Sequence, residues 1–420
     1  GGFNLKSVEE VCGFGSLKGE NLLDLLARLV DKSLVIADLL TNGKSRYRFL
    51  ETIREYALDK LESHREADIT RDGHLEFFMG LAEIAELNHF SPEQLEWFNR
   101  VEAEVDNMRA AMDWSTSAVP IDEPETGSWK QQMGLRLVGA LVWFWHRRYT
   151  REISERLKQM LAITDKQTQG RATALYSLGF LCWTVNDFSD ARKSLEEALS
   201  LSRKLDDRLT LARSLGYLGA VAATEGNYSL AQSLLEESLS VARELGPAGR
   251  KPASWALMIL GDVHFEQRDY RLSESLYEEA VALIREAYEK NLLGLAIRRL
   301  GYVALRRLDV ELASEYFEES LRLNQEVEHP VGICAALTAF ANLAMMQGKF
   351  SEAAQLFGAV ESHLVSSSMH LFYSDKIEYQ LGVSHLRSQF ESAMLEKAWK
   401  KGAAMPIEQA IQFARKVSRS

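Results

Sequence analysis

A block of sequence returns along this chain at nearly constant distance, and that periodicity leaves few folds open. Leu195 to Leu199 reads Leu-Glu-Glu-Ala-Leu, and related blocks begin at Leu235, Tyr277, Phe317 and, more weakly, Phe357, at offsets of 40, 42, 40 and 40 residues. Such self-similarity marks stacked units that bury their apolar faces against one another. Ahead of each block stands a small residue, at Gly179, Gly219, Gly261, Gly301 or Ala341, with another twelve residues later at Ala191, Ala231, Ser273, Ala313 or Ala353. Between them lies a short turn: Asn186-Asp187-Phe188, Gly226-Asn227-Tyr228, Arg268-Asp269-Tyr270, Leu308-Asp309-Val310 and Gly348-Lys349-Phe350. The pattern predicts one pair of antiparallel helices per unit, in which small residues let the backbones approach and the turn ends the first helix. Gly246-Pro247-Ala248-Gly249 and Pro252 accompany the one longer offset and predict a looser connection there.

The spacing of the two small residues, with Ala198, Ser238, Ala280 or Ser320 seven further on, resembles the tetratricopeptide repeat. That unit has about 34 residues, so the longer spacing here implies longer helices. The expected fold class is therefore all-α, a tetratricopeptide-like solenoid of helical hairpins. About six units are expected over 129–365, the first degenerate and carried by Gly139, Tyr149 and the amphipathic run Ile153 to Ile163. After Val365 the pattern stops. Ser366-Ser367-Ser368 predicts a loop, and helices near Asp375–Gln389, Glu391–Lys400 and Ile407–Val417 are expected to form a C-terminal cap over 366–420.

Ahead of the repeats, Leu22, Leu23, Leu25, Leu26, Leu29 and Val30 follow the period of a short helix with one buried face. Leu34 to Leu40 and Ser45 to Glu51 are strand-like, and Asn42-Gly43 between them signals a hairpin. A helix from about Thr52 to Glu62 follows, so that 1–70 looks like a winged-helix remnant. Residues 71–128 are expected to be a helical connector and linker. Ser91-Pro92-Glu93-Gln94 predicts an N-cap with a reciprocal Gln. Leu95, Phe98, Val101, Val105, Met108 and Met112 then predict one long helical seam, and Val119 to Ser128 an exposed linker.

Taken together, the winged-helix run, Glu102-x-x-x-Asp106-Asn107-x-Arg109-Ala110-Ala111, Val142-Trp143-Phe144-Trp145 and the long repeats resemble bacterial STAND-type signal-transduction ATPases, among them LuxR-like transcriptional regulators. The resemblance implies an output domain, a nucleotide-binding module, a winged helix and a helical-repeat sensor, in that order. Since the chain opens Gly-Gly-Phe inside the winged-helix pattern, the ATPase module is expected upstream, in a longer protein.

Charge and motifs exclude several functions. With 49 basic and 60 acidic residues the net charge is −11, so nucleic-acid binding would need a local basic patch. The exposed positions expected on the helix from Asn21 to Asp31 are Glu20, Asp24, Arg28 and Asp31, a poor set for reading bases. Gly43-Lys44-Ser45 imitates the end of a phosphate-binding loop, but Asp38 replaces the glycine required five residues earlier. Cys12, Cys182 and Cys334 are far apart, and no two of the nine histidines have ligand spacing on a helix, so no disulfide framework, metal or cofactor is expected. No catalytic elbow or Cys-His pairing appears, which predicts a non-enzyme. Leu135 to Trp145, the longest apolar stretch, contains Arg136 and is too short for a membrane span, so a cytoplasmic setting is expected. Trp143, Phe144 and Trp145 are expected in the core.

The tetratricopeptide resemblance also implies that the first helix of each unit lines a groove. The family's positions select Tyr176, Trp183, Arg213, Trp255, Asp262, Glu266, Arg298, Tyr302, Arg306 and Asn342 as ligand-binding candidates. Arg298, Tyr302 and Arg306 are expected to form an exposed stripe of cation, ring and cation facing Asp262 and Glu266. On that reading, replacing both arginines with Ala weakens ligand binding far more than folding. The expected function is a sensor and interaction module that binds a protein, peptide or small inducer and controls an upstream nucleotide switch. The alternatives are a constitutive scaffold, or groove residues that pair with each other across repeats and bind nothing.

Overall fold

The computed structural model describes residues 2–18, 21–39, 45–89, 91, 93–117, 124–286, 289–367, 369–389 and 391–419. They form twenty-two α-helices and one two-stranded sheet, the all-α class that the repeats predict. The chain divides into two compact units, one of Gly1–His89 with Glu93–Ser177, the other containing Leu178–Ser420.

In the first unit α1 (Leu5–Cys12) and α2 (Leu22–Asp31) precede β1 (Val35–Leu39) and β2 (Ser45–Phe49). The strands pair antiparallel from Val35 opposite Phe49 to Leu39 opposite Ser45. Asn42-Gly43 lies outside the described residues. Helix α2 buries a narrower stripe than expected: Leu22 and Leu26 are buried but Leu23 and Leu29 are exposed, because chiefly α1 and β1 pack against it. Next come α3 (Glu51–Ser63), α4 (Ala67–Asn88), α5 (Gln94–Ala103) and α6 (Val105–Ser115).

The predicted N-cap and single seam are corrected here. Helix α5 starts at Gln94, Glu93 stands at its cap position and makes no side-chain capping bond, and the Gln94 amide faces His89 Nδ1 at 3.4 Å. The seam turns at Glu104, whose carboxylate is held by Arg46 at 2.6 Å. Phe98, Val101, Val105, Met108 and Met112 are nevertheless all buried. The expected linker is shorter than its composition suggested, since α7 (Pro124–Ala140) already begins at Pro124, a residue whose fixed φ suits a first turn. Pro120, Asp122 and Glu123 lie outside the described residues. Helices α8 (Val142–Arg148) and α9 (Thr150–Ala162) follow, and Trp143, Phe144 and Trp145 are buried, with the His89 ring stacked 3.9 Å from that of Trp143.

Helix pairs then succeed one another: α10 (Gln169–Thr184) and α11 (Phe188–Leu205), α12 (Arg208–Thr224) and α13 (Tyr228–Glu244), α14 (Arg250–Glu266) and α15 (Tyr270–Glu286), α16 (Lys290–Arg306) and α17 (Val310–Glu326), α18 (Pro330–Met346) and α19 (Phe350–Ser366). The five turns share one left-handed bend, and all but the last, at Lys349, share a side-chain cap. Asn186, Gly226, Arg268, Leu308 and Gly348 take left-handed φ values of 63° to 75°. The next residue, Asp187, Asn227, Asp269 or Asp309, accepts a bond from the backbone N–H three residues on at 3.2, 3.3, 3.1 and 3.1 Å. That bond satisfies an otherwise orphaned donor and starts the second helix. Among the described residues Leu308 is the one aliphatic residue held in this strained conformation, and it is 70% exposed. Leu308→Gly is therefore expected to stabilise the chain by about 1 kcal/mol in urea denaturation, and a loss of stability would contradict this account of the turn.

Small residues act as predicted. A Cβ at Gly179 or Gly219 would collide with Leu195 or Leu235, and one at Gly261 or Gly301 with the ring of Tyr277 or Phe317. The first residue of each recurring block thus fills a notch in the preceding helix. Ser238 and Ser320 donate across their hairpins to the carbonyls of Ala212 and Gly294 at 2.8 and 2.7 Å. Exposed pairs step from unit to unit, Arg203 to Glu237 and Arg243 to Glu279 at 2.7 Å and Arg285 to Glu319 at 3.5 Å. At about 0–1 kcal/mol each they affect register more than stability.

After the last pair come α20 (Tyr373–Gln389), α21 (Ser392–Ala403) and α22 (Ile407–Arg419). Helix α21 packs on α19, and α22 on α18 and α19. Helix α20 takes a different course, described next. Among the described residues no helix is long and apolar enough to cross a membrane.

Candidate functional site: a groove that holds its own chain

The first helices α12, α14, α16 and α18 turn groups toward one segment, residues 372–378 of this chain. Phe372 stacks on Trp183 with centroids 5.8 Å apart. Tyr373 donates its hydroxyl to the Thr224 carbonyl at 2.9 Å, and Ser374 donates to Asp262 at 2.9 Å. Asp375 accepts two bonds from Arg298, at 3.1 and 2.8 Å, and one from Arg299 at 3.2 Å. Glu378 accepts from Arg306 at 2.7 Å, while its backbone carbonyl accepts from the Asn342 amide at 3.3 Å. The side chains of Arg298 and Asp375 are 2% and 1% exposed, so this pair is withdrawn from water. It persists because the fork of Arg298 meets both carboxylate oxygens while Ser320 takes a further N–H at 3.2 Å.

Burial penalises the Asp375 carboxylate, but Arg298 and Arg299 outweigh that penalty and hold its pKa below the usual range. Burial pushes the Glu378 carboxyl up despite Arg306. Glu266 is also pushed up, first by desolvation and then by Asp262 and Glu378.

Seven of the ten expected residues lie around this segment, with Trp255 behind Trp183. Trp183 and Trp255 meet edge to face at 5.2 Å, and Trp255 stacks on Tyr217 at 4.7 Å. Asp262, Glu266, Arg298, Tyr302, Arg306 and Asn342 complete the wall. Tyr176 is buried in the other unit, and Arg213 is half-buried and does not line the cavity described below.

The expected stripe facing Asp262 and Glu266 is overturned. Arg298 and Arg306 turn to Asp375 and Glu378, and it is Arg299 that meets Asp262, at 3.0 Å. Arg298 is buried rather than exposed, so its replacement is expected to damage folding, contrary to the sequence expectation. The cause is α20, which brings carboxylates that the groove positions alone did not reveal. Arg299, Phe372, Tyr373, Ser374, Asp375 and Glu378 were all missed. Their signal was present as two acids three residues apart, one face of a helix, directly after two aromatic residues.

Beside α20 a cavity of about 360 Å³ remains, lined among others by Trp183, Phe265, Glu266, Arg299, Tyr302 and Tyr373. That volume lies at the lower end of the roughly 300–1,000 Å³ typical of small-molecule sites. The buried Tyr302 hydroxyl and Trp183 indole N–H have no hydrogen-bond partner among the described residues. Elsewhere Cys182, Asp187 and Asp190 come within ligand reach of one another, but Asp187 is engaged in capping α11.

A family model described as MalT-like TPR region matches residues 170–409. Two proteins named provisionally as HTH-type transcriptional regulators, from Mycobacterium tuberculosis and Mycobacterium bovis, are each 34% identical over 232 residues, 52% of this chain and 24% of the relative. This chain therefore spans about a quarter of the length of those relatives. Among solved structures, a Signal Transduction ATPase with Numerous Domains carrying a tetratricopeptide repeat sensor, from Pyrococcus horikoshii, is 16% identical at a TM-score of 0.44, covering 100% of this chain and 63% of that one. A Rap protein complexed with competence and sporulation factor is 11% identical at a TM-score of 0.47, covering 79% and 99%. Likenesses this distant carry no statement about ligand. The family match identifies a MalT-like tetratricopeptide-repeat region over 170–409.

Proposed function

The chain belongs to the MalT-like TPR region family, and from that premise we propose that it is the sensing module of a larger signal-transduction ATPase regulator, reading a protein, peptide or small inducer in its groove and controlling a nucleotide switch carried elsewhere in that regulator. In this reading 1–70 is the winged-helix remnant, 71–128 the connector, 129–365 the repeat array and 366–420 the C-terminal helices. The supporting observation is that the groove already grips a helix of its own chain through Arg298, Arg299 and Arg306, with a ligand-sized cavity left alongside. Helix α20 then reports occupancy. A ligand that prefers the groove with α20 displaced shifts the balance by its differential affinity, and by no more. A constitutive scaffold has no use for a groove filled in this way.

The test uses the full-length regulator driving a reporter gene. Glu378→Lys sets a like charge against Arg306 and loosens α20. Inducer-free output is expected to change by about tenfold, the effect of about 1.4 kcal/mol on a two-state balance. Unchanged output from a variant that keeps its helical circular dichroism would favour the scaffold.

A further inference from the structure

Four carboxylates, Asp262, Glu266, Asp375 and Glu378, meet three guanidinium groups, Arg298, Arg299 and Arg306, around the cavity beside α20. Three are matched: Asp375 lies against Arg298 and Arg299, Asp262 against Arg299 and Glu378 against Arg306. On the rim, Glu225 is tied to Arg192. Glu266 has no hydrogen bond or ion pair among the described residues, and it is exposed while lining the cavity. The site is thus short of one positive charge. The Tyr302 hydroxyl and the Trp183 indole N–H, without partners among the described residues, are buried and open no surface to the cavity, to which their rings contribute instead. Trp183, Phe265, Tyr228, Tyr302 and Tyr373 give the cavity aromatic walls, which attract both apolar bodies and cations.

We infer that this cavity binds a small monocationic ligand, an amine or guanidine on an aromatic or apolar body, with Glu266 as its counter-ion and the aromatic walls around its body. The inference names the ligand class of the sensing site proposed above and rests on that proposal for its biological meaning. Anionic ligands are disfavoured, since they add like charge beside Glu266.

Occupancy also carries a pH signature. Glu266 faces Asp262 on its own helix, Arg299 and Arg306 on α16, and Glu378 and Tyr373 on α20, and burial with Asp262 and Glu378 pushes its carboxyl up. A cation favours the carboxylate, so affinity falls as pH is lowered through the Glu266 range.

Calorimetric titration of the chain with three compounds of one shape tests the assignment: tyramine, tyrosol and 4-hydroxyphenylacetate, carrying positive, zero and negative charge. Tyramine is expected to bind about tenfold or more tighter than tyrosol, with the acid weakest. In Glu266→Gln, an exposed substitution that spares the fold, the preference for tyramine and its pH dependence should both disappear. Equal affinities, a preference for the acid, no tyramine binding at millimolar concentration, or a preference that survives Glu266→Gln would each overturn it. The sensing role fails separately: charge selectivity that depends on Glu266, alongside reporter output indifferent to Glu378→Lys, would leave an amine site that is not the sensor.

Discussion

Asp375→Ala should cost the chain about 3–5 kcal/mol of stability, because removing one member of a buried ion pair leaves the other charge desolvated and unmatched. Arg298 is the abandoned partner. Its guanidinium is 2% exposed and, among the described residues, keeps the Ser320 hydroxyl once Asp375 is gone. Arg299 also loses a contact, although Asp262 still holds it at 3.0 Å. Arg298→Met combined with Asp375→Leu should recover most of the loss, since apolar groups of similar volume remove both desolvation penalties together. Urea denaturation of the two singles and the double reads this directly. A single-variant loss under 1 kcal/mol would mean the pair is solvated.

Acid should reveal the same pair. The folded-state pKa of Asp375 is lowered, so its stabilising contribution is complete above the unfolded-state value of about 3.9 and is lost as pH falls through the lower folded value. Glu378 and Glu266 have raised values and act in the opposite sense, their ionisation opposing the fold at neutral pH and relaxing as protons bind. Acidification below about pH 4 should therefore destabilise the wild type more steeply than Asp375→Asn. Equal slopes would contradict the pairing.

Gly301→Val is the second large effect, expected to cost about 1–3 kcal/mol or more. A Cβ there meets the Phe317 ring and lies 3.2 Å from Tyr316 Cβ, both on α17. Both helices are backed by neighbouring pairs, so neither retreats freely. Shrinking the opposing ring with Phe317→Leu should return part of the loss. A wild-type melting temperature for Gly301→Val would show that α16 and α17 are not closely apposed.

The repeat array was legible because its signals are local and repeated. Four of the five units carry a notch glycine, such as Gly301, and a capping side chain, such as Asp309, and all five carry a left-handed turn position, such as Leu308, so the copies agree on register. Breaks that occur once were harder. Nothing in Leu95 to Met112 disagrees with one helix, yet an ion pair to Arg46, 58 residues distant, turns the chain at Glu104. The groove was half legible. Periodicity located Trp183, Asp262, Tyr302 and Arg306 on one face, but whether that face is open depends on a segment 77 residues beyond Arg298. Position within a repeat cannot report such a contact, and Arg299, one residue from a predicted position, was passed over for the same reason.

Amide hydrogen exchange over residues 373–389 addresses most directly whether α20 is a separately releasable occupant of the groove. In the wild type these amides are expected to be protected. In Glu378→Lys they should exchange faster while those of α16, residues 290–306, stay protected, since local opening costs less than unfolding the stack. If α20 exchanges freely in the wild type, or if α20 and α16 open together at one rate in both proteins, the groove is not held by a releasable helix and the sensing account fails.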